Sequence, residues 1–225
     1  MKPPRQVELV SEVGWARAFA ADLLGSDHFI DRGDFGGGSA IVAFTFGNRI
    51  TSRSEIVPGP VNRAIAVTAL SLSLQRPGAE MPILAQHEVA MALDGHCRPI
   101  NRDNDFYMTT RDVAEVASEE LSSMGFSDAD KQVTAVGHNR HIGRIIYELK
   151  RAEIIPVAVV PVKPTPYEFD MGSNEIWTTG RVRWALHETG VFAGLKVERH
   201  FPSLAEKIQA RAISAKHEST KTSAY

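Results

Sequence analysis

Four short apolar runs limit what this chain can fold into. They are Ser39–Phe46 (SAIVAFTF), Met81–Ala85, Gln132–Val136 and Ile155–Val162. Each is too short for a helix core, and none shows the strict apolar–polar alternation of a strand with one wet face. Such runs read as strands buried on both sides. Helical stretches lie between them, over Val61–Leu74, Thr109–Gly125 and Ile142–Ala152. Buried strands alternating with helices predict an α/β fold with a mainly parallel sheet covered on both faces.

Local signals mark the helix ends. Pro58-Gly59-Pro60 leads into Val61, and Arg76-Pro77-Gly78 closes that helix. Glu88–Leu93 reads as a short helical turn. Thr109 and Thr110 precede Val113, Val116, Ala117 and Leu121, with Asp112 and Glu115 in the first turn and Gly125 as the stop. Upstream, Val10, Val13, Ala20 and Leu24 recur at helical spacing within Val7–Leu24, and Asp31–Gly38 is a glycine-rich loop. Gly47–Pro60 reads as a polar loop and Trp177–Gly194 as a last long helix. No repeat or linker divides the chain, so one domain is expected over residues 1–213, followed by a polar tail over 214–225.

Composition narrows the setting. The chain has 225 residues, 43% hydrophobic and 23% charged, with a formal net charge of -2. That balance argues against a general nucleic-acid binder. Ile154–Val162, the longest apolar run, is far shorter than a membrane span. The start, Met1-Lys2-Pro3-Pro4, lacks the apolar core of an export signal. Cys97 is the only cysteine, so no internal disulfide forms. A cytoplasmic protein is expected, and a homo-oligomer is compatible with these features.

In a parallel sheet the ligand crevice lies beyond the carboxyl ends of the strands. The exits here are polar: Thr45-Phe46-Gly47-Asn48, Gln86-His87-Glu88, Gly137-His138 through Arg144, and Lys163–Trp177. The third is the richest. A strand opening into a helix aims free N–H groups and a partial positive charge at one point, and imidazoles and guanidiniums beside it favour an anion. His138 and His141, three residues apart at a helix start, are expected on one face as acid/base candidates. Arg144 would clamp the anion, with an ion pair to Glu148 as the structural alternative. Glu88 is a candidate base or orienting group, or simply a first-turn acid stabilised by the helix dipole. Gln86 offers a donor and an acceptor to a ligand edge.

Further candidates line the same mouth. Gly47 would let a ligand approach the backbone, with Asn48 beside it; a plain tight turn is the alternative. Asn62, at a helix start, faces the crevice if the crossover is right-handed. Asp170 and Trp177 come from a long loop of the kind that covers sites; Trp177 either stacks on a planar ligand or anchors the last helix. No GxGxxG, GxxxxGK[ST], GxSxG or HExxH pattern is present, which leaves dinucleotide, P-loop, serine-hydrolase and zincin chemistry without a signature. Cys97 sits outside any strand–elbow–helix context and reads as a free loop thiol.

Several pieces in order carry a family likeness. These are Phe46-Gly47, Pro58-Gly59-Pro60-Val61-Asn62-Arg63-Ala64, Pro82–Ala90 (PILAQHEVA), Gly137–Arg144 (GHNRHIGR) and Asp170–Thr178 (DMGSNEIWT). The chain resembles the YdcF-like (SanA/ElyC-type) family over roughly residues 39 to 195. The resemblance implies a Rossmann-like three-layer α/β/α sandwich with a pocket at the strand ends, and it leaves the biochemical role open.

The leading expectation is a small anionic or nucleoside-type ligand, nucleotide or S-adenosylmethionine in size and polarity. Group transfer or hydrolysis with histidine as acid/base is the simplest chemistry. One alternative is a metal-dependent hydrolase using His138, His141 and a carboxylate. Another is a non-catalytic interaction protein that docks through Arg181, Arg183, Trp184 and His187.

Overall fold

The computed structural model describes residues 38–53, 55–76, 80–101, 108–164 and 168–200. The Val7–Leu24 helix, most of the glycine-rich loop before Gly38, the Pro77-Gly78 stop and the polar tail lie outside those residues.

Five strands form one parallel sheet: β1 (Ala40–Ala43), β4 (Ile83–Gln86), β5 (Arg98–Ile100), β6 (Gln132–His138) and β7 (Ile155–Val162), in the spatial order β5-β4-β1-β6-β7. Between β1 and β4 in sequence, β2 (Arg49–Ile50) and β3 (Ile56–Val57) pair antiparallel as a small separate ribbon. The helices are α1 (Pro60–Leu74), α2 (His87–Leu93), α3 (Thr110–Ser123), α4 (Ile142–Arg151) and α5 (Arg181–His200), the last preceded by a 3-10 turn at Ile176–Thr179. α1 packs with α2, and α3 packs with α4. The result is the expected α/β architecture, a Rossmann-like sheet with a helix layer on either side. A second compact unit begins at Val182, so most of α5 belongs to it.

Three of the four apolar runs supply β4, β1 and β6, the middle of the sheet, where both faces are covered, and the fourth supplies the outer strand β7. Ala40, Ile41, Val42, Ala43 and Phe44 are all fully buried. Val42 and Phe44 join Leu84, Val133, Ala135 and Val159 in one core with Val113, Ala117 and Leu121 of α3 and Ile142, Ile145 and Leu149 of α4. Gly137 marks the tightest contact there: a Cβ on it would collide with the Ile145 side chain. The Thr109 hydroxyl accepts from the Asp112 N–H, while the Asp112 carboxylate accepts from the Thr109 N–H, so the expected capped start of α3 takes the form of a full capping box.

Three elements differ from the expectation. The polar loop over Gly47–Pro60 contains the β2–β3 ribbon. β5 adds a fifth strand at the sheet edge, pairing Arg98, Pro99 and Ile100 with Leu84, Ala85 and Gln86. The expected helix over Trp177–Gly194 is broken at Gly180, whose extended backbone separates the 3-10 turn from α5. Both outer strands carry proline: Pro99 in β5, and Pro156 and Pro161 in β7. Proline lacks an amide hydrogen and is tolerated where that position faces away from the ladder.

Candidate functional site

The strand order places the first crossover to one side of β1 and the later strands to the other. β1 and β6 are therefore neighbours from which the chain departs in opposite directions. That is the switch point where a crevice opens beyond the strand ends in sheets of this kind. The exits of β1 and β6 are where the polar residues gather.

The β1 exit is held from several directions. Thr45 N–H donates to Gln86 Oε1 at 3.0 Å, and Thr45 Oγ1 donates to Glu88 Oε2 at 2.9 Å. Phe46 N–H donates to Asn62 Oδ1 at 2.9 Å, while Asn62 Nδ2 donates to the Gly47 carbonyl at 2.6 Å. Asn62 is 1% exposed, so its amide replaces the sheet ladder at the point where β1 leaves it. Gln86 Nε2 donates onward to the Met108 carbonyl at 3.4 Å. Two residues later, Thr110 Oγ1 meets His141 Nε2 at 3.0 Å. Glu88, Thr45, Gln86, Met108, Thr110 and His141 thus follow one another along an arc of bonds and short chain around the strand ends.

β6 runs two residues beyond its expected end and finishes at His138. The two histidines therefore do not share a helix face: His138 closes the strand and His141 is the N-cap of α4. Both instead flank Phe46. The His138 ring stacks on it at 3.8 Å between centroids and 10° between planes, and His141 lies tilted at 6.1 Å. His138 is fully buried. Its Nε2 faces the Glu168 carbonyl at 2.7 Å, and a carbonyl only accepts, so Nε2 carries the proton. Its Nδ1 then accepts from the Arg140 N–H at 3.3 Å. Burial pushes the imidazole down from its usual range to about 4, against the pull of the Glu168 carbonyl. His138 is thus an internal pillar with both ring nitrogens hydrogen-bonded to backbone groups. His141 is partly exposed at the start of α4, with Nε2 on the Thr110 hydroxyl.

Other expected residues are consumed by the architecture. Gly47 has φ +74, and a Cβ there would collide with the Thr178 hydroxyl and come within 2.6 Å of Ser173 Oγ. Its open face is already filled by protein, so the glycine serves packing and a left-handed turn and not ligand approach. The Asn48 backbone carbonyl accepts from the Asn174 N–H at 2.8 Å and from the Ser173 hydroxyl at 3.0 Å, whereas its buried side-chain Oδ1 has no hydrogen-bond partner among the described residues. Asp170, 3% exposed, takes a forked pair from Arg49, Nε at 2.8 Å and Nη2 at 2.6 Å, and accepts from the Gly172 N–H at 3.0 Å. The hydrogen bond to Asp170 outweighs desolvation and raises the Arg49 guanidinium above its ordinary value. Gly59 is glycine because a Cβ there would strike the Asp170 carboxylate.

Beyond β7, the stretch carrying Glu168 and Asp170 is held by two ion pairs. Glu168 pairs with buried Arg140 at 2.5 Å, and Asp170 pairs with Arg49. Burial alone would raise Glu168, but the Arg140 hydrogen bond and charge, helped by Asn139, pull it below the usual carboxylate range. Phe169, between the two acids, lies against both Phe46 and His138. Trp177 sits partly exposed on the 3-10 turn beyond.

Arg144 is the third residue of α4, partly exposed and one turn past His141. Glu148, its expected alternative partner, is 3% exposed and lies 3.8 Å from Arg151. α4 has ten residues, and its N-cap residue contributes no side-chain capping bond. Among the described residues no group of three His, Cys, Asp or Glu side chains is placed to hold a metal ion. Cys97 is half-buried, and desolvation raises its thiol, which makes it a poor nucleophile.

Sequence reasoning did not find Arg49, Glu168, Thr110 or Thr45 as partners of the site. All four pair with residues distant in the chain and carry no local motif. The chain matches no protein-family model, no curated protein and no solved structure. Among the described residues no helix is long and apolar enough to cross a membrane.

Proposed function

We propose that this chain binds a small anionic or nucleoside-type ligand, of nucleotide or S-adenosylmethionine size, at the carboxyl ends of its sheet strands. The reading rests on one observation. At the β1/β6 switch point, partly exposed His141 and Arg144 begin a ten-residue helix whose N-cap side chain makes no capping bond. Helix N–H groups, an imidazole and a guanidinium then face the same anion. The buried residues behind them hold that arrangement in place, as a preorganised site requires. If the ligand reacts, His141 is the acid/base group, and transfer or hydrolysis of the anionic group is the chemistry it serves.

Membership of the YdcF-like family is part of this proposal, supported by the ordered motifs from Phe46 to Thr178. So is a cytoplasmic location, which suits a chain with a single cysteine.

Isothermal titration and thermal shift across phosphate, the common nucleotides and S-adenosylmethionine test the reading. At least one ligand should raise Tm, and Arg144→Ala or His141→Ala should weaken its binding by about tenfold or more. Identical melting of the wild type with and without every member of that panel would reject it.

A further inference from the structure

The two helix layers of the sandwich differ in what they present to water. On one side α3 carries Arg111, Glu115, Glu119 and Glu120, and α4 ends in Lys150-Arg151. On the other side α1 has no charged residue from Ala64 to its end at Leu74. Its inner side is buried through Ile65, Ala66 and Ala69. Its outer side is apolar too: Val67 is 65% exposed and Leu74 59% exposed, seven residues apart, with Leu70 half-buried between them. On α2, packed beside α1, Met91 is exposed as well. A helix that is apolar all round belongs in an interior, so the outer side of α1 calls for a cover.

The chain itself supplies a segment of matching character. Within Val7–Leu24, outside the described residues, the sequence sets Leu9, Val13, Ala16, Ala20 and Leu23 on one side at helical spacing, with Glu8, Ser11 and Asp22 on the other. The described chain also begins beside the face in question. Gly38, two residues before β1, has its carbonyl 3.2 Å from Arg76 Nη1, and Arg76 follows the end of α1 by two residues. The residues from Gly25 to Gly37 can span about 45 Å when extended, against a length of about 22 Å for α1. That connection reaches any point along α1, and a tethered segment meets the face at a high effective concentration.

We infer that the outer face of α1 is an intramolecular docking surface for Val7–Leu24, which lies across it as a helix. Leu9, Val13, Ala16, Ala20 and Leu23 meet Val67, Leu70 and Leu74 of α1 and Met91 of α2. Each face removes the other's apolar surface from water, which is the driving force of the contact. The acids Glu8 and Asp22 stay on the wet side of the segment. The docked helix completes the layer that α1 and α2 begin on that side of the sheet, and gives it the charged exterior that α3 and α4 provide on the other.

The test uses the full chain and two measurements. First, a nitroxide is attached at Ser11→Cys, on the polar side of the segment, in a Cys97→Ser background. Amide signals of Val67–Leu74 should broaden strongly and those of α3 should not. Broadening of α1 no greater than that of α3 overturns the inference. So does broadening of α1 when nitroxide-bearing chains are mixed with isotope-labelled chains that carry no nitroxide, which would assign the face to a second copy. Second, Val67→Glu with Leu74→Glu sets two charges in the contact. Both sites are exposed on α1, so without docking the change is nearly neutral. With docking, trypsin cleavage after Arg17 should rise about tenfold or more over the wild type. Equal cleavage of the two chains overturns the inference. The nitroxide comparison decides the matter even if the double variant does not fold.

Discussion

Phe46 and His138 lie ring on ring, with centroids 3.8 Å apart and planes 10° from parallel. One residue leaves β1 and the other ends β6, so the stack ties the ends of two neighbouring strands. It also explains how an imidazole can sit in the core: one face meets an aromatic, and both nitrogens meet backbone groups.

The pH dependence of stability follows from that burial. In the unfolded chain a histidine takes up a proton below about 6.5, whereas folded His138 resists protonation until about 4. The unfolded state therefore binds more protons between those values, and stability falls as pH drops through that window. Above it the residue is neutral in both states and contributes no slope. The full effect is about 3 kcal/mol. Urea denaturation at pH 7.5, 6.0 and 4.5 should show this decline. His138→Phe should start lower, having stranded the Glu168 carbonyl and the Arg140 N–H, but should decline less. An equally steep decline in that variant would assign the slope to other groups.

Asn62 bridges the β1 exit through one donor and one acceptor in a fully buried position. Asn62→Ala leaves the Phe46 N–H and the Gly47 carbonyl without partners. The expected cost is about 2–4 kcal/mol, read from the urea midpoint at constant m-value. Asn62→Asp keeps the acceptor for Phe46 but sets a carboxylate against the Gly47 carbonyl, so it should not rescue.

The Arg49–Asp170 pair is asymmetric, with side chains 43% and 3% exposed. Arg49→Ala strands a buried carboxylate whose remaining donor is the Gly172 N–H, and should cost about 3 kcal/mol. Asp170→Ala lets the guanidinium turn to water and should cost clearly less, about 1 kcal/mol. Equal losses by chemical denaturation would mean that Asp170 is not the buried partner.

Gly47→Ala combines a positive φ with a collision against the Thr178 hydroxyl. It should destabilise by about 2 kcal/mol or more. Adding Thr178→Ala should recover only part of the loss, because the left-handed turn remains unfavourable. Complete recovery in thermal melts would show that the backbone conformation contributes nothing.

The middle of the fold was legible because burial on both faces leaves an unmistakable composition. Ile155–Val162 is a strand with the bounds its apolar run suggests, and the Thr109/Asp112 cap starts α3 as expected. The β7 edge was legible with it, but the β5 edge was not. Arg98-Pro99-Ile100 pairs on one side only, so a charge and a proline fit there and the run does not look like a strand. Gly137 invited the opposite error. It resembles a strand terminator, but its missing side chain admits Ile145, and β6 continues through it to His138.

For the site, the strand exits could be located from sequence, but the partners of individual residues could not. Arg49 and Asp170 are separated by 121 positions, and Arg140 and Glu168 by 28. No spacing rule connects such residues. Polar groups at the mouth therefore read alike as ligand contacts, although Gln86, Asn62 and Asp170 are spent on holding it together.

The prolines of the outer strands limit how copies of this molecule can meet. An incoming strand laid along β5 or β7 finds no amide hydrogen at Pro99, Pro156 or Pro161. Continuous β-addition along this five-stranded sheet is therefore interrupted at both of its described flanks.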